Sequence, residues 1–404
     1  MDYITEKFKK LGVDTAPGQE TRQKQEALPA KGDNIPGTPV DFSHGDVDAF
    51  TPTPGTLDTF IEGVKDGGKQ AYTEYRGKAD IRKDLAGKLA AFSGAPVDAD
   101  SEIILTPGTQ GALFLAMGAL VGRGDKVAII EPDYFANRKL VEFFDGTLVP
   151  VQLCFNDVEH YSGLDLAGLE AAFKNGAKVF LFSNPNNPTG VIYSPEEVAA
   201  IGRLARQYDV AVIADELYSR QIFSDTLPYT HLRALPERPE RLVTIIGPSK
   251  TESLSGYRLG VAYGSADIIT RMEKLQAIVS LRAGGYSQAV FKDWFAEPEG
   301  WMAERVRQHQ AIRDALLEIF RACPGCSART TEAGSYVFVT IPQLEVNMLQ
   351  FIKLLRAQAA VTVTPGAEFG PQFTQSFRMN FSQDHKAAVA AAHRIVTMIE
   401  RYRV

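Results

Sequence analysis

Between residues 103 and 246 the chain returns repeatedly to short apolar, β-branched runs, at 103–105, 127–130, 148–153, 178–182, 210–214 and 242–246. Stretches of helical periodicity lie between many of them; 111–121 is one, and 194–208 is another, where Pro195 follows a serine able to cap a helix. Runs that are apolar without alternation are strands buried on both faces. Strands of that kind alternating with helices form an α/β domain around a mainly parallel sheet. The pattern holds from about residue 56 to 287 and then changes. A long helical pattern covers 298–321, strand patterns follow at 335–340, 361–364 and 376–381, and a last helix runs over 385–402, as in a smaller α+β domain. Residues 1–35 are polar, weakly periodic and rich in Gly, Pro, Lys, Glu and Gln, which predicts a flexible arm. The expected organisation is an arm at 1–35, a large α/β domain at 56–287, and a smaller domain built from 36–55 and 288–404; a chain of 404 residues suits two domains.

Several function classes drop away. Lys and Arg total 43 against 49 Asp and Glu, a net charge of −6, with no basic run to hold nucleic acid. No apolar stretch reaches the roughly 18–20 residues that span a bilayer, and the polar N-terminus lacks the apolar core of a secretion signal. The expectation is a cytoplasmic protein without membrane or nucleic-acid partners. The three cysteines are too few for a disulfide framework. Cys323-Pro-Gly-Cys326 follows a helical stretch and has no second ligand pair nearby, so it reads as a loop and no metal site is expected. No dinucleotide or Walker-type glycine motif stands at a strand–helix turn.

The chemistry sits where the apolar runs end, because open α/β sheets bind ligands beyond the carboxyl ends of their strands. The run at 103–105 leads into Thr106-Pro-Gly-Thr-Gln-Gly-Ala-Leu113, a small-residue turn opening a helix, suited to an anion but common in structural turns as well. The run at 127–130 leads to Tyr134, which could stack on a planar ring or fill a rim. Ser183-Asn-Pro-Asn-Asn-Pro-Thr-Gly190 is more specific: two X-Pro steps fix a rigid, extended turn carrying three Asn side chains. Asp215, ending 210–214, needs a cation from the protein or a ligand. Lys250 follows 242–246, with Arg258 eight residues on among glycines. A lysine in a dry cleft beside other cations is a competent amine nucleophile, and an arginine suits phosphate or carboxylate. Arg378, in an apolar strand, needs an anion: a substrate carboxylate or a structural acid.

Taken together and in order, Asn-Pro-Asn-Asn-Pro-Thr-Gly190, Asp215-Glu-Leu-Tyr218 and Ser249-Lys250 with Gly256-Tyr-Arg258-Leu-Gly260 resemble the class I/II aminotransferases of fold type I. Tyr72-Thr-Glu-Tyr-Arg-Gly77, Ser43-His-Gly45 and Thr364-Pro-Gly366 with Phe369-Gly370 extend the resemblance over most of the chain. It implies pyridoxal 5′-phosphate as cofactor, held by Lys250 as a Schiff base. Asp215 would pair with the pyridine nitrogen; Asn187 and Tyr218 would hydrogen-bond the ring hydroxyl oxygen, and Tyr134 would stack on the ring. Gly108, Thr109 and Gln110 with Arg258 would hold the phosphate, joined by Tyr72 of a neighbouring subunit in a homodimer. Arg378 would hold the substrate α-carboxylate with Asn187 and the backbone at Gly45. Gly247 departs from the pattern, since many relatives carry Ser three residues before the lysine. Arg282 falls where dicarboxylate-specific relatives carry an arginine that reads the substrate side chain, which makes the 2-oxoglutarate/glutamate pair a candidate; a structural arginine is the alternative. The implied activity is transfer of an amino group between an L-amino acid and a 2-oxo acid. A β-elimination lyase of the C–S type on the same scaffold is the rival reading.

Overall fold

The computed structural model describes residues 2–11, 28–45, 49–67, 71–156 and 162–404. Its strands, in chain order, are β1 (Val40–Asp41), β2 (Ile103–Pro107), β3 (Lys126–Glu131), β4 (Thr147–Gln152), β5 (Ala177–Ser183), β6 (Ala211–Asp215), β7 (Leu242–Ile246), β8 (Leu259–Gly264), β9 (Ser327–Ala328), β10 (Tyr336–Thr340), β11 (Val361–Thr362), β12 (Thr364–Pro365) and β13 (Ser376–Asn380).

Seven strands form one sheet in the order β2-β8-β7-β6-β5-β3-β4. All run the same way except β8, which is antiparallel to both β2 and β7. Every residue of β7 and β8 is buried, as continuous apolar runs require, because helices cover both faces. Each Val, Leu or Ile so buried contributes about 1.5–3 kcal/mol. The helix Pro195–Gln207 begins as its sequence predicts: Ser194 accepts from the Glu197 N–H, and Glu197 reaches back to the Ser194 N–H.

Strand β8 does not follow from the runs 127–130 to 242–246, and it matters for the site. Because it runs against its neighbours, it starts at the edge where they finish: Pro107 pairs with Leu259, and Ile246 with Val261. Arg258, just before β8, is thereby carried to the carboxyl edge of the sheet.

The C-terminal part holds a four-stranded antiparallel sheet, β12-β13-β10-β9, packed with helices Trp301–Ala322, Met348–Ala359 and His385–Tyr402. The strand expected over 361–364 is two short strands in different sheets, with β11 pairing in parallel with β1. Val40, Phe42 and Phe50 pack into this C-terminal core. The N-terminal arm, expected to be flexible throughout, carries a helix at Tyr3–Lys10. Asp2 caps it, and the Lys7 ammonium lies 4.6 Å over the Phe143 ring. Residues 12–27 of that arm lie outside the described residues. Among the described residues no helix is long and apolar enough to cross a membrane.

Candidate active site

One cleft opens where the parallel strands end. It is lined by Thr109, Gln110, Tyr134, Asn187, Asp215, Tyr218, Lys250, Arg258 and Arg378, with Ser43, His44, Ser183, Ser249, Ser255 and Tyr336 among their neighbours. The topology explains the convergence. Gly108 follows β2, Tyr134 follows β3, Asn187 follows β5, Asp215 ends β6, Lys250 follows β7, and Arg258 precedes the reversed β8. The C-terminal sheet adds Tyr336 from β10 and Arg378 from β13, paired so that Tyr336 faces Asn380 and Phe338 faces Arg378.

The glycines around Arg258 are there for close approach. A Cβ on Gly260 would lie 2.3 Å from the Gly108 carbonyl carbon, so only glycine lets β8 press against the turn after β2. Gly108 has φ +77°, and a Cβ there would meet the Arg258 guanidinium at 2.5 Å. The turn is thus an anion cradle of free helix N–H groups with a guanidinium above it. Gly247 belongs to the same packing: a Cβ at this position would stand 2.8 Å from the Thr109 methyl, so Thr109 fills the space a serine would need.

The three Asn side chains of the 183–190 turn have different tasks. Asn184 Oδ1 accepts from the Tyr193 N–H, and Asn186 Oδ1 accepts from the Thr189 N–H and hydroxyl at 3.1 and 2.6 Å. These two hold the turn, whose Asn184–Pro185 bond is cis. Asn187 alone faces the cleft, where its Oδ1 accepts from Arg378 Nη1 at 2.9 Å. Arg378 Nη2 donates to the Ser43 carbonyl at 3.0 Å, and its guanidinium lies 4.3 Å over the Tyr336 ring. Arg378 is 4% exposed, its Nε has no partner, and among the described residues no carboxylate pairs with it.

Asp215 is the converse case. Burial pushes its carboxyl from near 3.8 up to about 6, the adjacent Glu216 charge adds to this, and the Leu217 N–H at 3.1 Å opposes it. Among the described residues no cation pairs with it. Asp133, not singled out in the sequence, lies close by. Burial lifts its carboxyl to about 7 despite hydrogen bonds from the Ser183 hydroxyl and the Tyr134 N–H. Tyr218 and Tyr336 are both buried, with their hydroxyls 2.5 Å apart. Tyr336 left no sequence signal, since a tyrosine within an apolar strand reads as core.

Four expected site residues do not line this cleft. Gly45 and Gly108 are two of them, although Ser43, His44 and Thr109 beside them do. Tyr72 is 75% exposed, and the Arg282 guanidinium stacks 4.7 Å over its ring while Nη1 donates to the Thr73 carbonyl. Arg282 thus does not reach the Lys250 cleft of its own chain. Of the Cys323-Pro-Gly-Cys326 pair, Cys326 is half-buried, and its thiol is pushed up to about 12 by burial and by Cys323.

The donor set fits pyridoxal phosphate. Asp215, a buried carboxylate that no cation pairs with among the described residues, can face the ring nitrogen, an anion cradle can take the phosphate, the Lys250 amine shares the cleft with both, and a buried guanidinium with a free N–H is left for a carboxylate.

Comparison with known proteins agrees. The family described as aminotransferase class I and II matches residues 38–395. An aspartate aminotransferase of Musicola paradisiaca is 27% identical over 403 residues, covering 100% of this chain and 98% of that protein. The crystal structure of an aspartate aminotransferase from Rhodobacter sphaeroides superposes with a TM-score of 0.94 at 61% identity, covering 99% of this chain and all of that one. An aspartate aminotransferase of Thermus thermophilus shares the fold, with a TM-score of 0.80 at 23% identity over 89% of this chain and 91% of that one. A carboxylate, an amine and two arginines gathered at one sheet edge, in a chain matched almost end to end, thus identify a member of the class I and II aminotransferase family, an enzyme that depends on pyridoxal phosphate.

Proposed function

We propose that the enzyme moves the amino group of an acidic L-amino acid, aspartate or glutamate, to a 2-oxo acid, and works as a homodimer. The observation that carries amino-acid binding is Arg378, a buried guanidinium with an unpartnered Nε and, among the described residues, no acid paired with it, in the same cleft as Lys250. The 61% identity to an aspartate aminotransferase supports the acidic donor.

Bound pyridoxal phosphate supplies an electron sink for the charge left when the α-proton is removed. The chain's residues do the rest. Lys250 would hold the cofactor and, when not bonded to it, would carry the proton from the α-carbon. Asp215 would pair with the ring nitrogen and keep its proton in place. Asn187 and Tyr218 would hydrogen-bond the ring oxygen, and Tyr134 would stack on the ring. Gly108, Thr109 and Gln110 with Arg258 would take the phosphate. Arg378, steadied by Asn187 and the Ser43 carbonyl, would hold the α-carboxylate.

The homodimer is supported by exposed apolar side chains on the elements flanking the Tyr72–Arg282 stack: Leu57, Ile61, Val64, Ile278, Val279 and Leu281. Exposed apolar patches of this kind mark interfaces. Tyr72 would reach the neighbouring phosphate, and Arg282 beside it would reach the substrate's second carboxylate in the same neighbouring cleft. Arg282→Ala is then expected to lower kcat/KM for aspartate by roughly 10- to 150-fold, the value of a hydrogen bond to a charged group, while that for a neutral amino acid holds. An unchanged ratio of acidic to neutral donors would remove this role.

Gly247→Ser is expected to weaken cofactor binding, because the new side chain crowds Thr109. Overpacking of this size costs about 1–3 kcal/mol, or roughly 5- to 150-fold in affinity. Titration of cofactor-free protein with pyridoxal phosphate reads it, and tighter binding would contradict the packing argument.

The activity itself is tested by supplying aspartate to the loaded enzyme with and without 2-oxoglutarate. Consumption that needs the acceptor is the expected result. The rival reading is tested with cystathionine and no acceptor: pyruvate and ammonia released from it would favour elimination instead.

A further inference from the structure

We infer that Tyr336 is a positioning residue for the cofactor chemistry: its hydroxyl donates to the Tyr218 oxygen and so commits Tyr218's own proton to the cofactor's ring oxygen. This rests on the reading that Tyr218 faces that oxygen.

The two hydroxyls lie 2.5 Å apart, between rings packed edge-on with centroids 5.3 Å apart. A hydroxyl has a single proton to give. If Tyr218 gave its proton to Tyr336, it would have none for the ring oxygen, so the direction of this bond decides whether Tyr218 can act on the cofactor at all.

The proton count and the surroundings set that direction. Asn380, the partner of Tyr336 across β10 and β13, uses its Oδ1 to accept from the Ser382 N–H at 2.9 Å. The Arg378 guanidinium lies over the Tyr336 ring, and Lys250 lines the same cleft. Burial alone would make this phenol a weaker acid, but the two cations together with its hydrogen bonding make it a stronger one. Tyr218 is in the opposite position. Burial comes first, the nearby Tyr336 and Asp215 add to it, and only Arg378 opposes, so its phenol is held well above the ordinary range. Tyr134, the other phenol in the cleft, also stands in the field of Tyr336 and Asp215. With the one proton of Tyr218 given to the ring oxygen, the 2.5 Å contact is left for the Tyr336 proton to fill, and the cation over the Tyr336 ring favours it as donor. The run of donors is Tyr336 to Tyr218 to the ring oxygen, and each bond polarises the next.

The test is a pH titration of the visible absorption of cofactor-loaded wild type, Tyr218→Phe, Tyr336→Phe and the double variant. A donor to the ring oxygen draws off charge that would otherwise help hold a proton on the Lys250 nitrogen, so weakening the donor moves the midpoint to higher pH. Tyr218→Phe is expected to raise it by about 1–2 units. Tyr336→Phe is expected to raise it by roughly 0.2–0.7 unit, and the double variant should match Tyr218→Phe alone. Because Tyr336→Phe keeps its ring over Arg378, affinity for maleate, measured below both midpoints, should hold to within about twofold. A Tyr336→Phe midpoint that is unchanged or lowered, or an additive double variant, or a maleate affinity that falls with the hydroxyl, overturns the relay while leaving the cofactor assignment standing. Loss of colour in wild type, or no shift in Tyr218→Phe, overturns the assignment of the cleft and the relay with it.

Discussion

Lys250→Ala is expected to lower the transamination rate by roughly 10²–10⁴-fold from the loss of positioned proton transfer alone. The lysine follows β7 and projects into the cleft shared by Asp215, Tyr218 and Arg378. Alanine removes both the covalent tether and the group that carries the proton, and it leaves space that a small amine can enter. Two readouts separate the roles. Single-turnover kinetics with aspartate should show the rate loss, and added methylamine should restore part of it without restoring covalent retention of the cofactor. A variant that keeps more than about a tenth of the wild-type rate would place the proton carrier elsewhere.

Asp215→Asn is expected to cost nearly as much. Removing one partner of a buried ion pair costs about 3–5 kcal/mol, or two to four decades of rate if the pair is felt in the transition state. The same residue gives a pH signature without any substrate. Its carboxyl in the cofactor-free protein is raised by burial from 3.8 to about 6. A raised acid is comfortable protonated and costly when ionised. Its contribution to stability is therefore present below about pH 4 and lost as pH rises toward 6. The melting temperature of wild type relative to Asp215→Asn, both without cofactor, should fall across that window. Loading with pyridoxal phosphate sets a cation against the carboxylate and should flatten the difference. A difference that rises with pH, or that loading leaves unchanged, would show that Asp215 does not face the ring nitrogen.

Much of this was legible before the structure. Strands buried on both faces announce themselves as apolar runs, and β7 and the final helix fall where the pattern placed them. The polar residues just beyond those runs, Asn187, Asp215 and Lys250, could be picked out because an open sheet binds ligands at that edge. What stayed hidden depends on pairing between distant segments. Strand β8 runs against its neighbours, and no local pattern reveals strand direction. Tyr336 reaches the cleft only because β10 pairs with β13 in a register that sets it opposite Asn380. The unequal duties of Asn184, Asn186 and Asn187 depend on which backbone N–H groups the folded turn leaves unpaired. Gly247 read as a lost phosphate contact, and in the fold it is space already taken by Thr109. Tyr72 and Arg282 point away from their own cleft, and a single chain shows only the stack between them.

The most direct measurement is chemical. Cofactor-loaded protein is reduced with borohydride, digested and mapped by mass spectrometry. The account predicts one added pyridoxyl phosphate group on the peptide that contains Lys250 and on no other. Label on a different lysine, or an unmodified Lys250 in protein that has taken up the cofactor, would contradict it.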